Sequence, residues 1–258
     1  MIRVGVAGAL GRMGRAIVSA LKDTPDVELA GVFERPGHDA VGAPYVLDER
    51  LVVHGGPDLL AGALDVLIDF TAPGASTLHA GWCAENGVAL VLGTTGIEPE
   101  HQRAIDAATR RVAVVQAPNM SVGVNVLCAL VSAAARMLGP SFDVEIVETH
   151  HKRKKDAPSG TALRLLDVAQ AARPGSEPVF ARHGLIGERG TGEIGVQTLR
   201  GGDVVGEHTV FFFGTGERIE LTHRATDRAV FAAGAVRAAR WAAGRAPGRY
   251  AMSDVLEG

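Results

Sequence analysis

The densest run of reactive side chains is Glu148-Thr149-His150-His151-Lys152-Arg153-Lys154-Lys155-Asp156-Ala157-Pro158-Ser159-Gly160-Thr161-Ala162, with two histidines and four cations in the six residues 150–155. Imidazole and ammonium groups are the side chains that exchange protons near neutrality once their surroundings tune them. Their combined charge suits a carboxylate or phosphate partner. Ser159 stands where a helix N-cap belongs, and the amides of Gly160 and Thr161 behind it would point at an anion. The competing reading is a solvated basic loop in front of an ordinary helix start. No cysteine or further histidine–carboxylate pair stands at zinc-ligand spacing, so no metal is expected. His183, His208 and His223 are isolated in sequence and read as structural or surface residues.

A second constellation opens the chain. The apolar run ending at Ala7 leads into Gly8-Ala9-Leu10-Gly11-Arg12-Met13-Gly14, a GxxGxxG pattern. Glycines there permit a tight turn and let backbone N–H groups approach a pyrophosphate at a helix N-terminus. A turn that needs glycine for steric reasons alone is the other reading. Glu34 follows twenty residues after Gly14, at the end of the next apolar run, where an acid can bind the ribose hydroxyls of an adenosine half. Arg35 beside it could pair with a 2′-phosphate, so both NADH and NADPH remain open. Gly93-Thr94-Thr95-Gly96 and Ala117-Pro118-Asn119-Met120 each follow an apolar run, as Phe70-Thr71-Ala72-Pro73 does. Simple turns are the alternative for these loops.

These groups need elements to hold them. Strand-like runs at 2–7, 27–33, 51–53, 66–70, 88–92 and 112–116 alternate with helical stretches at 12–21, 74–85 and 98–108. That alternation predicts βαβ units, a parallel sheet with helices on both faces, and ligands beyond the carboxyl ends of the strands. The pattern changes near Asn119. A long apolar helix is expected over 122–138, a strand over 142–149 and a short helix from Thr161. Strands follow at 193–199 and 204–213, with Gly201-Gly202 as a hairpin turn between them, and at 218–223 after Gly214-Thr215-Gly216. Residues 173–178 read as an exposed loop, and 229–241 as an Ala-rich helix returning to the first domain. The fold class is therefore α/β: a Rossmann-type doubly wound parallel sheet plus a smaller α+β domain with a mixed sheet. The expected boundaries are 1–121 with 230–258, and 122–229.

Composition narrows the remaining classes. The chain has 258 residues, a net charge of −3 and 21% charged residues, so no global basic field points to nucleic acid. Its apolar runs read as broken by glycine or charge before a membrane-spanning length, and the N-terminus lacks a signal-peptide pattern. Cys83 and Cys128 both lie among apolar residues, which suits two reduced thiols and, with the rest, the cytoplasm.

The segment from Glu148 to Ala162 closely resembles the signature of the dihydrodipicolinate reductases, also called 4-hydroxy-tetrahydrodipicolinate reductases, of the diaminopimelate route to lysine. The resemblance extends through Gly8 to Gly14, Gly93 to Gly96, Asn119 to Asn125, Gly187-Glu188-Arg189, Gly202 to Thr209 and Asp254-Val255-Leu256. It implies a proton donor or acceptor at His150, a proton donor at Lys154, and carboxylate binding by His151, Gly160 and Thr161. It implies NADH or NADPH contacts at Gly8, Ala9, Leu10, Gly11, Arg12, Met13, Glu34, Arg35, Gly93, Thr94, Thr95, Ala117, Pro118, Asn119 and Met120. A small dicarboxylate substrate and a homotetramer formed through the substrate-domain sheets are further implications. Leu10 departs from the smaller residues common in the family, a change that bears on loop packing or cofactor preference but leaves a backbone phosphate site intact.

Overall fold

The computed structural model describes residues 1–258. The chain divides into two compact units, Met1–Val122 with Ala229–Gly258, and Gly123–Arg228.

In the first unit, β1 (Ile2–Ala7), α1 (Arg12–Lys22), β2 (Val27–Phe33), β3 (Pro44–Tyr45), β4 (Asp48–His54), β5 (Val66–Asp69), α2 (Pro73–Asn86), β6 (Ala89–Leu92), α3 (Pro99–Ala108) and β7 (Ala113–Gln116) follow one another. The second unit carries α4 (Val122–Leu138) from its second residue onward, then β8 (Asp143–His150), α5 (Gly160–Ala172), β9 (Glu177–Val179), β10 (Glu193–Arg200), β11 (Gly206–Gly214) and β12 (Glu217–Ala225). The chain then returns to the first unit with α6 (Ala229–Ala242), β13 (Gly248–Tyr250) and α7 (Met252–Glu257).

The first unit is an eight-stranded sheet ordered β13-β7-β6-β5-β1-β2-β4-β3, parallel except at its β3–β4 edge. Its central strands are apolar throughout because both faces are covered. Val4, Val6, Val66 and Ile68 pack with Ile17 and Val18 of α1 and with the alanines of α6. Leu67, Leu90 and Val114 face Ala80 and Cys83 of α2 and Ile105 of α3 on the other side. A Cβ on Gly234 would lie 1.8 Å from the Met120 carbonyl oxygen, so only glycine lets α6 run this close to the segment after β7.

In the second unit the sheet order is β12-β11-β8-β10-β9. Strand β8 runs antiparallel to β11 and parallel to β10. The expected hairpin at Gly201-Gly202 is therefore corrected: β10 and β11 are not partners, and β8 lies between them. Local turn chemistry could not reveal this, because a Gly-Gly pair reverses the chain equally well within a hairpin and across an intervening strand. The pair Gly214↔Glu217 does close a two-residue hairpin between β11 and β12. Within 173–178, Glu177 and Pro178 belong to the short edge strand β9 rather than to a loop, and the helix beginning at Gly160 runs thirteen residues.

The apolar run Val122–Ser141 also differs from its reading, being long and apolar enough by composition to cross a membrane. Here Leu127, Val131 and Ala135 of α4 join Leu165 and Ala169 of α5 over Val144, Ile146, Val196 and Phe212 of the sheet. One face of the helix therefore packs on the core, while Val126, Leu130 and Met137 are exposed. Both cysteines are free thiols.

Candidate active site

Parallel strands bring the residues expected to bind a dinucleotide to the carboxyl ends of the strands in the first sheet. Gly8 to Gly14 follow β1, Glu34 and Arg35 follow β2, Gly93 to Thr95 follow β6, and Ala117 to Met120 follow β7. Gly8 turns the chain with φ +63°, and a Cβ on Gly14 would meet the Gly8 carbonyl oxygen at 2.2 Å and Ala9 Cα at 2.6 Å. The loop thus folds directly over the start of α1. Gly11 stands at that helix's N-cap with no side-chain cap, leaving the first-turn amides to a ligand. This cradle fits a pyrophosphate.

The Phe33 carbonyl accepts from Gly8 N at 2.9 Å, and Glu34 Oε1 accepts from Leu10 N at 2.8 Å. Tyr45 Oη donates to the Ala9 carbonyl at 3.0 Å. The Leu10 amide thus already holds the acid expected at a ribose. Arg12 and Arg35 are exposed beside it, and Thr94 is buried, its hydroxyl 2.8 Å from Ser76 Oγ.

The second unit builds a different site from register. In β8, Val144, Ile146, Glu148 and His150 share the buried face. Thr198 and Arg200 of β10 stand opposite Glu148 and His150, and His208 of β11 stands opposite Glu148 on the other side. Glu148 is fully buried. Its Oε1 accepts from Ser159 N at 3.0 Å, Thr198 Oγ1 at 3.1 Å and Arg200 Nη2 at 2.8 Å. Its Oε2 accepts from Arg200 Nη1 at 2.8 Å and lies 2.5 Å from His150 Nδ1. Burial pushes the Glu148 carboxyl up, but the bonds from Arg200 and His150 outweigh it and hold the group below the usual carboxylate range.

His150 therefore gives Nδ1–H to Glu148 and keeps Nε2 for another partner. Burial lowers its pKa, against the opposing pull of Glu148, and the charges of Lys154 and Arg200 add to the lowering. A Cβ on Gly206 would lie 2.9 Å from Nε2, so the absence of a side chain keeps that atom accessible. Lys154 sits one turn further on, its amide bonded to the His151 carbonyl at 3.1 Å and its Nζ 2.8 Å from Asp156. His151 Nδ1 is buried with no protein hydrogen bond, an orphaned polar atom in a basic loop. Ser159 caps α5 as expected, its Oγ accepting from Ala162 N at 3.1 Å, which leaves the Gly160 amide at the helix mouth outside that cap.

The residues the sequence reading passed over are Glu148 as a partner, Arg200 and His208. His208 is not isolated: it is buried, with Nε2 3.0 Å from Ser159 Oγ and its ring edge-on to His150 at 5.2 Å. Burial, reinforced by the charge of His150, pushes its pKa down to about 4. Glu148 carried a usable signal, since the period-2 alternation of a strand puts residues two apart on one face. Arg200 and His208 carried none, because their roles depend on which strands flank β8.

Comparison with known proteins agrees with this architecture. The family model "Dihydrodipicolinate reductase, N-terminus" matches residues 2–120, and "Dihydrodipicolinate reductase, C-terminus" matches residues 123–256. The 4-hydroxy-tetrahydrodipicolinate reductases of Anaeromyxobacter dehalogenans strain 2CP-C and Myxococcus xanthus strain DK1622 are 53% and 54% identical, each alignment covering 99% of this chain and 98% of the relative. A dipicolinate-bound dihydrodipicolinate reductase from Paenisporosarcina sp. TG-14 superposes with TM-score 0.80 at 25% identity, covering 97% of both chains. With both halves matched and half the residues shared along the whole length, the chain belongs to the dihydrodipicolinate reductase family, NAD(P)H-dependent oxidoreductases of lysine biosynthesis.

Proposed function

We propose that the chain reduces 4-hydroxy-tetrahydrodipicolinate to tetrahydrodipicolinate, with His150 and Lys154 handling the proton and the Ser159-capped helix mouth holding a carboxylate. The observation that carries this reading is the Glu148–His150 pair beside Lys154 and the N-terminus of α5. His151, Gly160 and Thr161 supply a ring nitrogen and amide donors for the dicarboxylate. Gly8 to Met13, Glu34, Arg35, Gly93 to Thr95 and Ala117 to Met120 hold NADH or NADPH. When bound, the dihydronicotinamide would supply a hydride to the ring carbon that carried the hydroxyl, after loss of that hydroxyl as water leaves a conjugated imine.

That hydride builds negative charge on the conjugated ring system. The Lys154 ammonium stabilises this charge most in the transition state and can deliver the balancing proton. His150 is neutral near pH 7, because burial lowers its pKa. Its Nδ1–H stays on Glu148, so Nε2 is the atom that relays a proton.

Homotetramer formation through the second sheet is part of the proposal. Phe211 and Phe213 stack 5.6 Å apart on β11, where Phe213 is exposed, as is Ile219 of β12. Light scattering gives the assembly mass. The deciding assay follows NADH and NADPH oxidation with substrate made freshly from aspartate semialdehyde and pyruvate by the preceding synthase. Synthase-dependent turnover is expected, and the ratio of the two rates reads what Glu34 and Arg35 select. Cofactor binding without turnover would overturn the substrate assignment.

A further inference from the structure

A buried acid in the first unit is used by none of this chemistry. Asp69 ends β5, the strand beside β1 on the side away from β2, and is fully buried. Its Oδ1 accepts from Thr71 N at 2.8 Å and Thr71 Oγ1 at 2.6 Å, and its Oδ2 lies 2.8 Å from His79 Nδ1 of α2. The Thr94 hydroxyl approaches Oδ1 at 3.5 Å and is 2.8 Å from Ser76 Oγ of α2. One carboxylate thus gathers the loop after β5, the loop after β6 and a helix. Burial pushes this carboxyl up, yet the His79 and Thr71 bonds hold it below its usual range, so it is ionised.

The gathered groups reach the glycine turn. A Cβ on Gly8 would lie 3.0 Å from Thr71 Cγ2, and one on Gly93 would lie 2.2 Å from the Phe70 ring. Gly93 N donates to the Asp69 carbonyl at 2.9 Å. The His79 ring stands edge-on to Phe33 at 5.0 Å, and the Phe33 carbonyl holds Gly8 N. Glu34, at the end of β2, marks the adenosine side of the turn. In a doubly wound sheet the other mononucleotide half lies across β1, above β5 and its neighbours. Thr71 commits its single O–H to Asp69, which leaves only acceptor lone pairs for a ligand.

We propose that the Asp69–His79 pair is a positioning unit that fixes Thr71 and the Gly93–Thr95 loop against the glycine turn, so that the Thr71 hydroxyl oxygen accepts from a ribose hydroxyl or carboxamide N–H of the nicotinamide half. The proposal rests on the family's cofactor and not on the assignment of His150 or Lys154. A merely structural pair would weaken every ligand alike, whereas a positioning pair discriminates between the two halves of the dinucleotide.

The test titrates the full-length protein with NADH, by cofactor fluorescence, and with ADP, which carries the adenosine half alone, by calorimetry. His79→Phe keeps a ring against Phe33 but removes the donor to Asp69. It is expected to raise the Kd for NADH about tenfold, the loss of one well-formed hydrogen bond, with the Kd for ADP within twofold of wild type. His79→Asn, which offers an N–H close to the position of Nδ1, is expected to restore NADH binding. Thr71→Val leaves the Asp69–His79 hydrogen bond in place and is expected to lose NADH affinity selectively. Equal weakening of NADH and ADP in either variant, or unchanged NADH affinity in Thr71→Val, overturns the proposal. If His79→Phe is unfolded by circular dichroism, Thr71→Val alone decides.

Discussion

Asp69 in the first unit and Glu148 in the second are both fully buried carboxylates paired with a histidine Nδ1, at 2.8 and 2.5 Å. Their surroundings separate them. Glu148 is also clamped by both Nη atoms of Arg200, so its charge is already matched by a permanent cation. His150 can therefore stay neutral and change its own proton without leaving a bare buried charge. Asp69 has no arginine; its other close donors are the amide and hydroxyl of Thr71. Whether a carboxylate–histidine pair moves a proton or holds a loop depends on what else neutralises the carboxylate, which no list of catalytic residue types records.

The division of labour breaks most visibly at Lys154. Lys154→Ala is expected to cut kcat by about 10²–10⁴-fold, the usual range for a lost general acid, while the Kd for NADH stays within twofold. Single-turnover kinetics with a fluorescence titration checks both, and a large change in NADH affinity would erase the distinction between the units.

Arg200→Met strips Glu148 of its counter-ion. The expected cost is about 3–5 kcal/mol of stability in urea denaturation, the penalty for leaving one partner of a buried ion pair. A small cost would mean that Glu148 had simply taken up a proton, and its carboxyl would then report a raised pKa.

Gly206→Ala sharpens the comparison at a single atom. A methyl at 2.9 Å from His150 Nε2 forces the ring or the strand to shift. We expect roughly a tenfold fall in kcat/KM, in line with the ~1–3 kcal/mol of an overpacked site, with NADH affinity unchanged. Unaltered kcat/KM would exclude Nε2 as the working atom.

The smallest effect is a pH dependence of stability. The His208 pKa lies at about 4 in the folded protein, below its ordinary value of 6.5. A depressed imidazole binds its proton more weakly folded than unfolded, so the stability it contributes is complete above 6.5 and is lost as pH falls toward about 4. Melting temperature against pH should fall more steeply across that window in wild type than in His208→Asn. Parallel curves would assign the acid sensitivity elsewhere.

Much of this was legible in the residues. The alternation of apolar runs with helical stretches specified the parallel sheet, because β-strands buried on both faces are apolar throughout and their right-handed connections need helices. Gly8, Gly14 and Glu34 announced a tight turn over the start of α1, through positions where only glycine fits or where an acid meets the loop. Ser159 announced its own cap. These are local facts, set by φ, by close backbone approach and by the period of a strand or helix.

What stayed hidden is long-range. Nothing near Gly201-Gly202 says that β8 enters between β10 and β11, yet that insertion is what sets Arg200 on one side of Glu148 and His208 on the other. Asp69 was visible only as a charge ending an apolar strand, and its partner His79 lies ten residues away on a helix. Strand order and register are settled by the packing of whole faces, a sum over many weak apolar contacts, and so they belong to the tertiary structure; residue type and spacing determine only which groups are available to be brought together.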